Sequence, residues 1–369
     1  MKKILFVSHE GSISGAPLFL VKLIRYLKVE SPDYHIAILF TKQGELVELL
    51  TQEGFEVYVF EKRGVLNTRA PAVWHRLIHY FRYLRLLFAF KPDLVYSNTI
   101  VNFGEVVLAG LVKIPVLLHM HEGMGFSRKC RYRLKISCFF AKRIIVGSNY
   151  VNRVLNYLTG QVGVVIYNGV DVPNDIPVKR RLKGNPLRMG VLGSINPNKG
   201  QQVTIESLRI LIERGQSGEL KIAGKVGDEE YHIQLCDFIK SQSLGEFVQF
   251  VGVVPDTEDF LKSIDLLIVP SFDEAFPTVI LEAFSMGTLV VASDVGGIPE
   301  MIQNDVNGFL FKVGDSMMLA DFIEKIILDD SLLQRLTICA LNVLKERFDA
   351  SVSNRLISSH LDEMLIEYD

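Results

Sequence analysis

The sequence predicts an α/β protein made of two doubly wound parallel-sheet domains, and three observations predict it. The chain has 369 residues, roughly twice what one hydrophobic core organises. Short runs rich in Val, Ile and Leu alternate with amphipathic segments from end to end, as parallel strands covered on both faces by crossover helices do. The alternation halts once and then restarts. The halt, at residues 168–186, begins Asn168-Gly169-Val170-Asp171-Val172-Pro173 and continues through Lys179-Arg180-Arg181, with turn formers and charge but no apolar period.

In the first half, Ile4-Leu5-Phe6-Val7 and Ile36-Ala37-Ile38-Leu39-Phe40 predict strands over 3–7 and 35–40, too short and too apolar for exposed helices. Val57-Tyr58-Val59 predicts a strand over 56–60. Further strands are expected over 94–96, 116–119, 144–146 and 164–166, each a β-branched or aromatic run bounded by turn formers. Helices fill most of the intervals. One, over 71–90, would set Val73, Leu77, Tyr80, Leu84 and Phe88 on one side and His75, His79 and Arg82 opposite. The second half repeats the scheme with strands over 188–192, 220–223, 248–251, 266–269, 289–292 and 308–311. From Asp315 the pattern is helical. The expected division is 1–170 and 171–350, with 351–369 a helix that packs back on the first domain.

Composition narrows the class. At 49% hydrophobic and 22% charged, with 28 Gly and 13 Pro, the chain is neither disordered nor fibrous. The net charge of -2 hides an asymmetry: residues 1–170 carry 22 Lys and Arg against 11 Asp and Glu, and the remainder 18 against 31. A basic half suits an anionic membrane surface or an acidic substrate, and no reader motif points to nucleic acid. Four scattered cysteines, Cys130, Cys138, Cys236 and Cys339, lack zinc or disulfide spacing and suggest a reducing, cytoplasmic setting. The apolar run after Lys3 ends at Ser8-His9-Glu10, too short for a signal peptide.

In open parallel sheets ligands bind beyond the carboxyl ends of the strands, so the loops there are the candidates. Gly11-Ser12-Ile13-Ser14-Gly15-Ala16 opens a helix whose first N–H groups suit a phosphate, without the spacing of a dinucleotide fingerprint. His121 follows a strand and can exchange hydrogen bonds with a sugar hydroxyl. Lys199, in Gly193-Ser194-Ile195-Asn196-Pro197-Asn198-Lys199-Gly200, can neutralise a diphosphate, and the loop is not a Walker motif. Glu274 precedes a helix that Pro277 starts, with Val279, Ile280, Ala283 and Phe284 on its apolar face. Glu282 then shares the polar face with Thr278 and Ser285, so two carboxylates can accept from vicinal hydroxyls of one ligand.

Together these segments resemble the retaining glycosyltransferases of the GT-B class often called family 4. The resemblance rests on the first loop, His121, the Ile166-Tyr167-Asn168-Gly169-Val170-Asp171 join, Lys199-Gly200, Gly224-Lys225, and Glu274 and Glu282 with seven residues between them, followed by Ser293-Asp294-Val295-Gly296-Gly297-Ile298-Pro299-Glu300. It implies two Rossmann-like domains facing across a cleft, a UDP- or GDP-sugar on the second and a glycan or lipid-linked acceptor on the first. By position, Glu282 would hold the ribose, Glu274 the transferred sugar, and the stretch Phe276-Pro277-Thr278-Val279 would turn its backbone N–H groups, which Pro277 lacks, toward sugar or phosphate. Lys199 and Lys225 would meet the diphosphate, with Gly15 and Ala16 reaching it from the other domain, and His121 would sit near the reacting centre. No cofactor or metal is implied. The chain departs from the family where an arginine usually follows the glycine or precedes the lysine, since it has Ser194 and Asn198. A non-catalytic sugar-binding protein and a nucleotide-sugar epimerase therefore stand as alternatives.

Overall fold

The computed structural model describes residues 1–13, 15–62, 72–123, 128–173 and 186–368. Two compact units emerge, 1–168 together with 353–369, and 169–352.

The first unit carries seven parallel strands: β1 (Lys2–Ser8), β2 (Tyr34–Phe40), β3 (Glu56–Val59), β4 (Leu94–Ser97), β5 (Val116–Met120), β6 (Arg143–Val146) and β7 (Val164–Val165). They lie in the order β3-β2-β1-β4-β5-β6-β7. Helices α1 (Gly15–Glu30), α2 (Glu45–Gln52), α3 (Ala72–Phe90), α4 (Phe103–Leu111), α5 (Arg128–Phe140) and α6 (Asn149–Thr159) make the crossovers. Ile4, Phe6, Ile38, Phe40, Leu94, Tyr96, Leu117 and Ile145 are wholly buried, which is why these runs read as continuously apolar.

The second unit carries β8 (Leu187–Leu192), β9 (Gly218–Ala223), β10 (Val248–Gly252), β11 (Leu266–Val269), β12 (Leu289–Ser293) and β13 (Phe309–Phe311), in the order β10-β9-β8-β11-β12-β13. Its helices are α7 (Gln201–Glu213), α8 (Glu229–Ser241), α9 (Thr257–Ser263), α10 (Thr278–Ser285), α11 (Ser316–Leu328) and α12 (Asp330–Arg347). Both sheets are parallel throughout, and in both the order of strand addition reverses once, between β1 and β4 and between β8 and β11. Those reversals are where such sheets open a crevice for ligands.

The last helix, α13 (Ala350–Glu367), starts in the second unit and finishes in the first. There Ile357, Leu361, Met364 and Leu365 join the core that contains Leu20 and Ile24. Arg143 donates to Glu363 and to the His360 carbonyl at 3.4 Å.

Two expectations about helix faces need correcting. The inward face of α3 is His79, Tyr83, Leu86, Leu87 and Phe90, while Leu77 and Phe88 are exposed. A buried histidine on a helix has no apolar signature, so periodicity chose the wrong stripe. In α10 the buried residues include Leu281 rather than Val279, and Pro277 sits before the first helical residue as the cap rather than within the turn. The basic run at 179–181 lies outside the described residues.

Candidate functional site

In the second unit the carboxyl ends of β8, β11 and β12 gather the predicted acidic and basic side chains. A single 3-10 turn, Pro197–Lys199, follows β8, and the Asn196 side chain accepts from the Lys199 N–H to cap it. Gly200 then takes φ +65°, and a Cβ there would stand 2.1 Å from the Pro270 carbonyl oxygen, so only glycine fits. This places Lys199 against the loop after β11, where its ammonium pairs with the Glu274 carboxylate. Ser271 Oγ donates to the same carboxylate oxygen at 3.1 Å.

Glu274 is held from behind. Gly296 lies at φ +60°, where a Cβ would fall 1.8 Å from the Glu274 carbonyl oxygen, and Gly297 N–H donates to that oxygen at 3.0 Å. The Gly296-Gly297 pair is thus a cradle for the carboxylate's backbone, and Ser293 Oγ, donating to the Ser271 carbonyl at 2.5 Å, fixes the same loop. Phe276 and Pro277 are buried and lead into α10. No side chain caps that helix. The N–H groups of Thr278 and Val279 therefore end the helix dipole's positive pole without an intrahelical partner. One turn on, Thr278 Oγ1 donates to Glu282 at 3.1 Å and Ser285 Oγ to the Glu282 carbonyl at 2.8 Å.

Ser194 and Asn198, which stand where an arginine was expected, are both engaged. Asn196 Nδ2 donates to Ser194 Oγ at 2.8 Å. Asn198 Nδ2 donates to the Asp273 carbonyl at 3.0 Å, and Phe272 N–H returns a bond to the Asn198 carbonyl at 2.8 Å. Asn198 therefore staples the lysine loop to the Glu274 loop, a role invisible in sequence because its partners lie 75 residues away. Lys225 is exposed just after β9, its carbonyl accepting from Ile195 N–H. A cavity of about 720 Å³ lies beside the loop, lined by Asn198, Gln202, Glu206, Tyr231 and Phe272, and does not include Lys199, Glu274 or Glu282.

In the first unit the ends of β1, β4 and β5 build a different kind of centre. Asn98 Nδ2 donates to the Ala16 carbonyl at 2.7 Å, which turns its Oδ1 toward His121 Nε2 at 3.1 Å. Asn168 Nδ2 donates to His121 Nδ1 at 3.2 Å. The imidazole thus donates from Nε2, accepts at Nδ1, and is neutral. Its enclosure beside Phe19 and His119 lowers its pKa from the ordinary value to about 3, against the opposing pull of the Asn168 bond. Ala16 and His121, both predicted, are linked through Asn98. A Cβ on Gly15 would meet nothing within 4 Å, so open space, not crowding, surrounds the start of α1. Glu122 was overlooked: it receives the Thr99 hydroxyl, and burial raises its pKa. Among the described residues no group of His, Cys, Asp and Glu is placed to hold a metal ion.

Two sheets that each bring glycine-bearing loops and an open helix start to the reversal of strand order define a protein of the two-Rossmann type. Residues 174–341 match Glycosyl transferases group 1, and residues 13–173 match Glycosyltransferase Family 4. The chain belongs to the GT-B glycosyltransferases of this group.

Among curated relatives, the capsular polysaccharide biosynthesis glycosyltransferase CapM of Staphylococcus aureus is 22% identical over 97% of this chain and 96% of its own. The amylovoran biosynthesis glycosyltransferase AmsK of Erwinia amylovora is 29% identical over 48% of this chain and 45% of its own. The chain thus spans about half the length of several relatives it matches. A solved structure of Anabaena Alr3699/HepE in complex with UDP and glucose is 25% identical, with a TM-score of 0.81 over 98% of this chain and 100% of that one. Sucrose-phosphate synthase of Thermosynechococcus elongatus, at 16% identity and a TM-score of 0.78 over the whole of both chains, shares the fold.

Proposed function

We propose that this protein is a retaining, metal-independent glycosyltransferase that moves a hexose from a UDP- or GDP-sugar to a hydroxyl of a glycan or lipid-linked acceptor. The Lys199–Glu274 pair at the open start of α10 carries the reading, because it joins a cation suited to a diphosphate to a carboxylate suited to a sugar. The UDP and glucose bound by the Anabaena neighbour support a UDP-sugar, and the names of CapM and AmsK support polysaccharide synthesis.

In this mechanism Lys199, with the Thr278 and Val279 amides and Lys225, takes the diphosphate, and Glu282 the ribose hydroxyls. Released from Lys199, Glu274 accepts from the hydroxyls of the hexose. The bond from C1 to the phosphate oxygen breaks as the acceptor oxygen bonds C1 on the same face, and the acceptor proton passes to the departing phosphate. Neutral His121 acts by hydrogen bonding near this centre, not as a charge. The first unit's partner surface is an anionic membrane, which gives access to a lipid-linked acceptor.

Incubation with UDP- and GDP-hexoses and candidate acceptors, followed by assignment of the product's anomeric configuration by NMR, tests the reading. A product with the donor's configuration and activity untouched by chelator is expected. Donor binding without turnover favours the non-catalytic alternative, and donor conversion without acceptor favours an epimerase. Lys199→Ala should reduce kcat/KM by roughly two to three orders of magnitude, and kinetics like the parent's would remove the assignment.

A further inference from the structure

We propose that the outward face of α3 lies in the headgroup region of an anionic bilayer, an inference that rests on the membrane reading above and names the surface responsible. Trp74, Leu77, Ile78, Phe81 and Phe88 fall at helical spacings of three, four, seven and fourteen from the first, and are 59%, 54%, 54%, 62% and 65% exposed. Five large apolar side chains along one exposed stripe are unusual for a surface that meets only water.

The stripe cannot turn inward. On the opposite side of α3, His79 is wholly enclosed, its Nδ1 2.7 Å from the Phe60 carbonyl and its Nε2 2.6 Å from the buried Glu105 carboxylate. Lys62 Nζ meets the same carboxylate at 2.9 Å. Rolling the helix would strand a buried carboxylate, so the network locks which face is presented.

Charge selects the occupant. Arg76, Arg82 and Arg85 are exposed on the same helix, and residues 62–92 contain no Asp or Glu. Helix α4 packs against both α3 and α5, and α5 adds exposed Arg131, Arg133 and Lys135 with Tyr132 and Phe139. Arginine stems can lie along apolar surface while the guanidinium groups reach lipid phosphates. Two copies meeting through this face would oppose arginine to arginine, which argues against self-association.

The test uses Trp74, the single tryptophan of the chain. The full-length protein is mixed with vesicles of phosphatidylglycerol and phosphatidylcholine, or of phosphatidylcholine alone, and followed by sedimentation and by tryptophan emission. Sedimentation with the anionic vesicles, a blue shift, and quenching by lipids brominated near the headgroup end of the acyl chain are expected. Arg82→Glu, a change of two charges, should weaken vesicle binding by roughly ten- to thirtyfold, and Phe81→Ser should weaken it too, with transfer to a soluble acceptor unchanged. Sedimentation with Trp74 unshifted and unquenched overturns the α3 assignment while the membrane reading stands. Failure to sediment with either vesicle overturns both, and a lipid-independent shift with doubled mass assigns the face to a second copy.

Discussion

The two units reverse strand order in the same way, yet they hold their polar centres by opposite means. At the ends of β4 and β5, a relay of neutral groups runs from the Ala16 carbonyl through Asn98 and His121 to Asn168. At the ends of β8 and β11, a charged pair joins Lys199 to Glu274 on a frame of glycines. A neutral relay fixes an orientation and has nothing to release. An ion pair is a stored charge: it satisfies the lysine while no phosphate is present and can exchange carboxylate for phosphate when one arrives. The contrast fits a division in which one unit positions and the other binds charge.

The largest expected effect breaks the first unit away from its frame. Glu105→Ala removes the buried partner of His79 and Lys62 and should cost about 3–5 kcal/mol, as loss of one member of a buried charged network does. Urea unfolding followed by Trp74 emission reads the first unit directly, and an unmoved midpoint would show that this cluster is not structural. The carboxyl itself would be raised by burial, but the His79 bond and the Lys62 charge hold it below its usual value.

Next comes the charged pair of the second unit. Glu274→Gln should lower kcat/KM by about two orders of magnitude. Combined with Lys199→Ala, the loss should fall short of the product of the single effects, because the two side chains touch. Independent effects in that double-mutant cycle would show that the pair is incidental to the reaction.

A further effect distinguishes the units by pH. His121 has its pKa lowered to about 3, so the unfolded chain takes up that proton first. The contribution to stability is complete above the unfolded value of about 6.5 and is lost as pH falls from there toward the folded value. Glu105, also held low, loses stability in the same direction. The Trp74-reported transition should therefore weaken between neutral pH and about pH 4, and His121→Asn should flatten the profile. The smallest effect is Asn98→Ala, which frees His121 on one side and should cost about 1 kcal/mol of transition-state stabilisation, with kcat reduced more than KM is raised.

The thirteen strands among the described residues were legible because most are short apolar runs buried on both faces, and even the part-buried β3, β7 and β10 keep β-branched or aromatic runs, so that signal is local. The placement of Lys199, Glu274 and Glu282 on loops and a helix start was legible because glycines and Pro277 mark those turns in the sequence. What was not legible is what depends on distant partners. Asn98 meets a carbonyl 82 residues away, and Asn198 meets one 75 away, so each looked like an ordinary loop amide. The face of α3 was misread for a related reason: its inward anchor is His79, whose complement, Glu105, belongs to another helix.

The path of the last helix has a consequence for how the chain is made. Residues 353–368 supply Ile357, Leu361, Met364 and Leu365 to a core otherwise drawn from the first 168 residues. During synthesis the first sheet must wait, partly uncovered, while the whole of the second unit emerges from the ribosome. The second unit is an uninterrupted segment and can complete itself first, so the order of translation and the order of completion are reversed. A nascent chain stopped at Val352 would carry a finished second unit and a first unit with its apolar seam open, a substrate for chaperones.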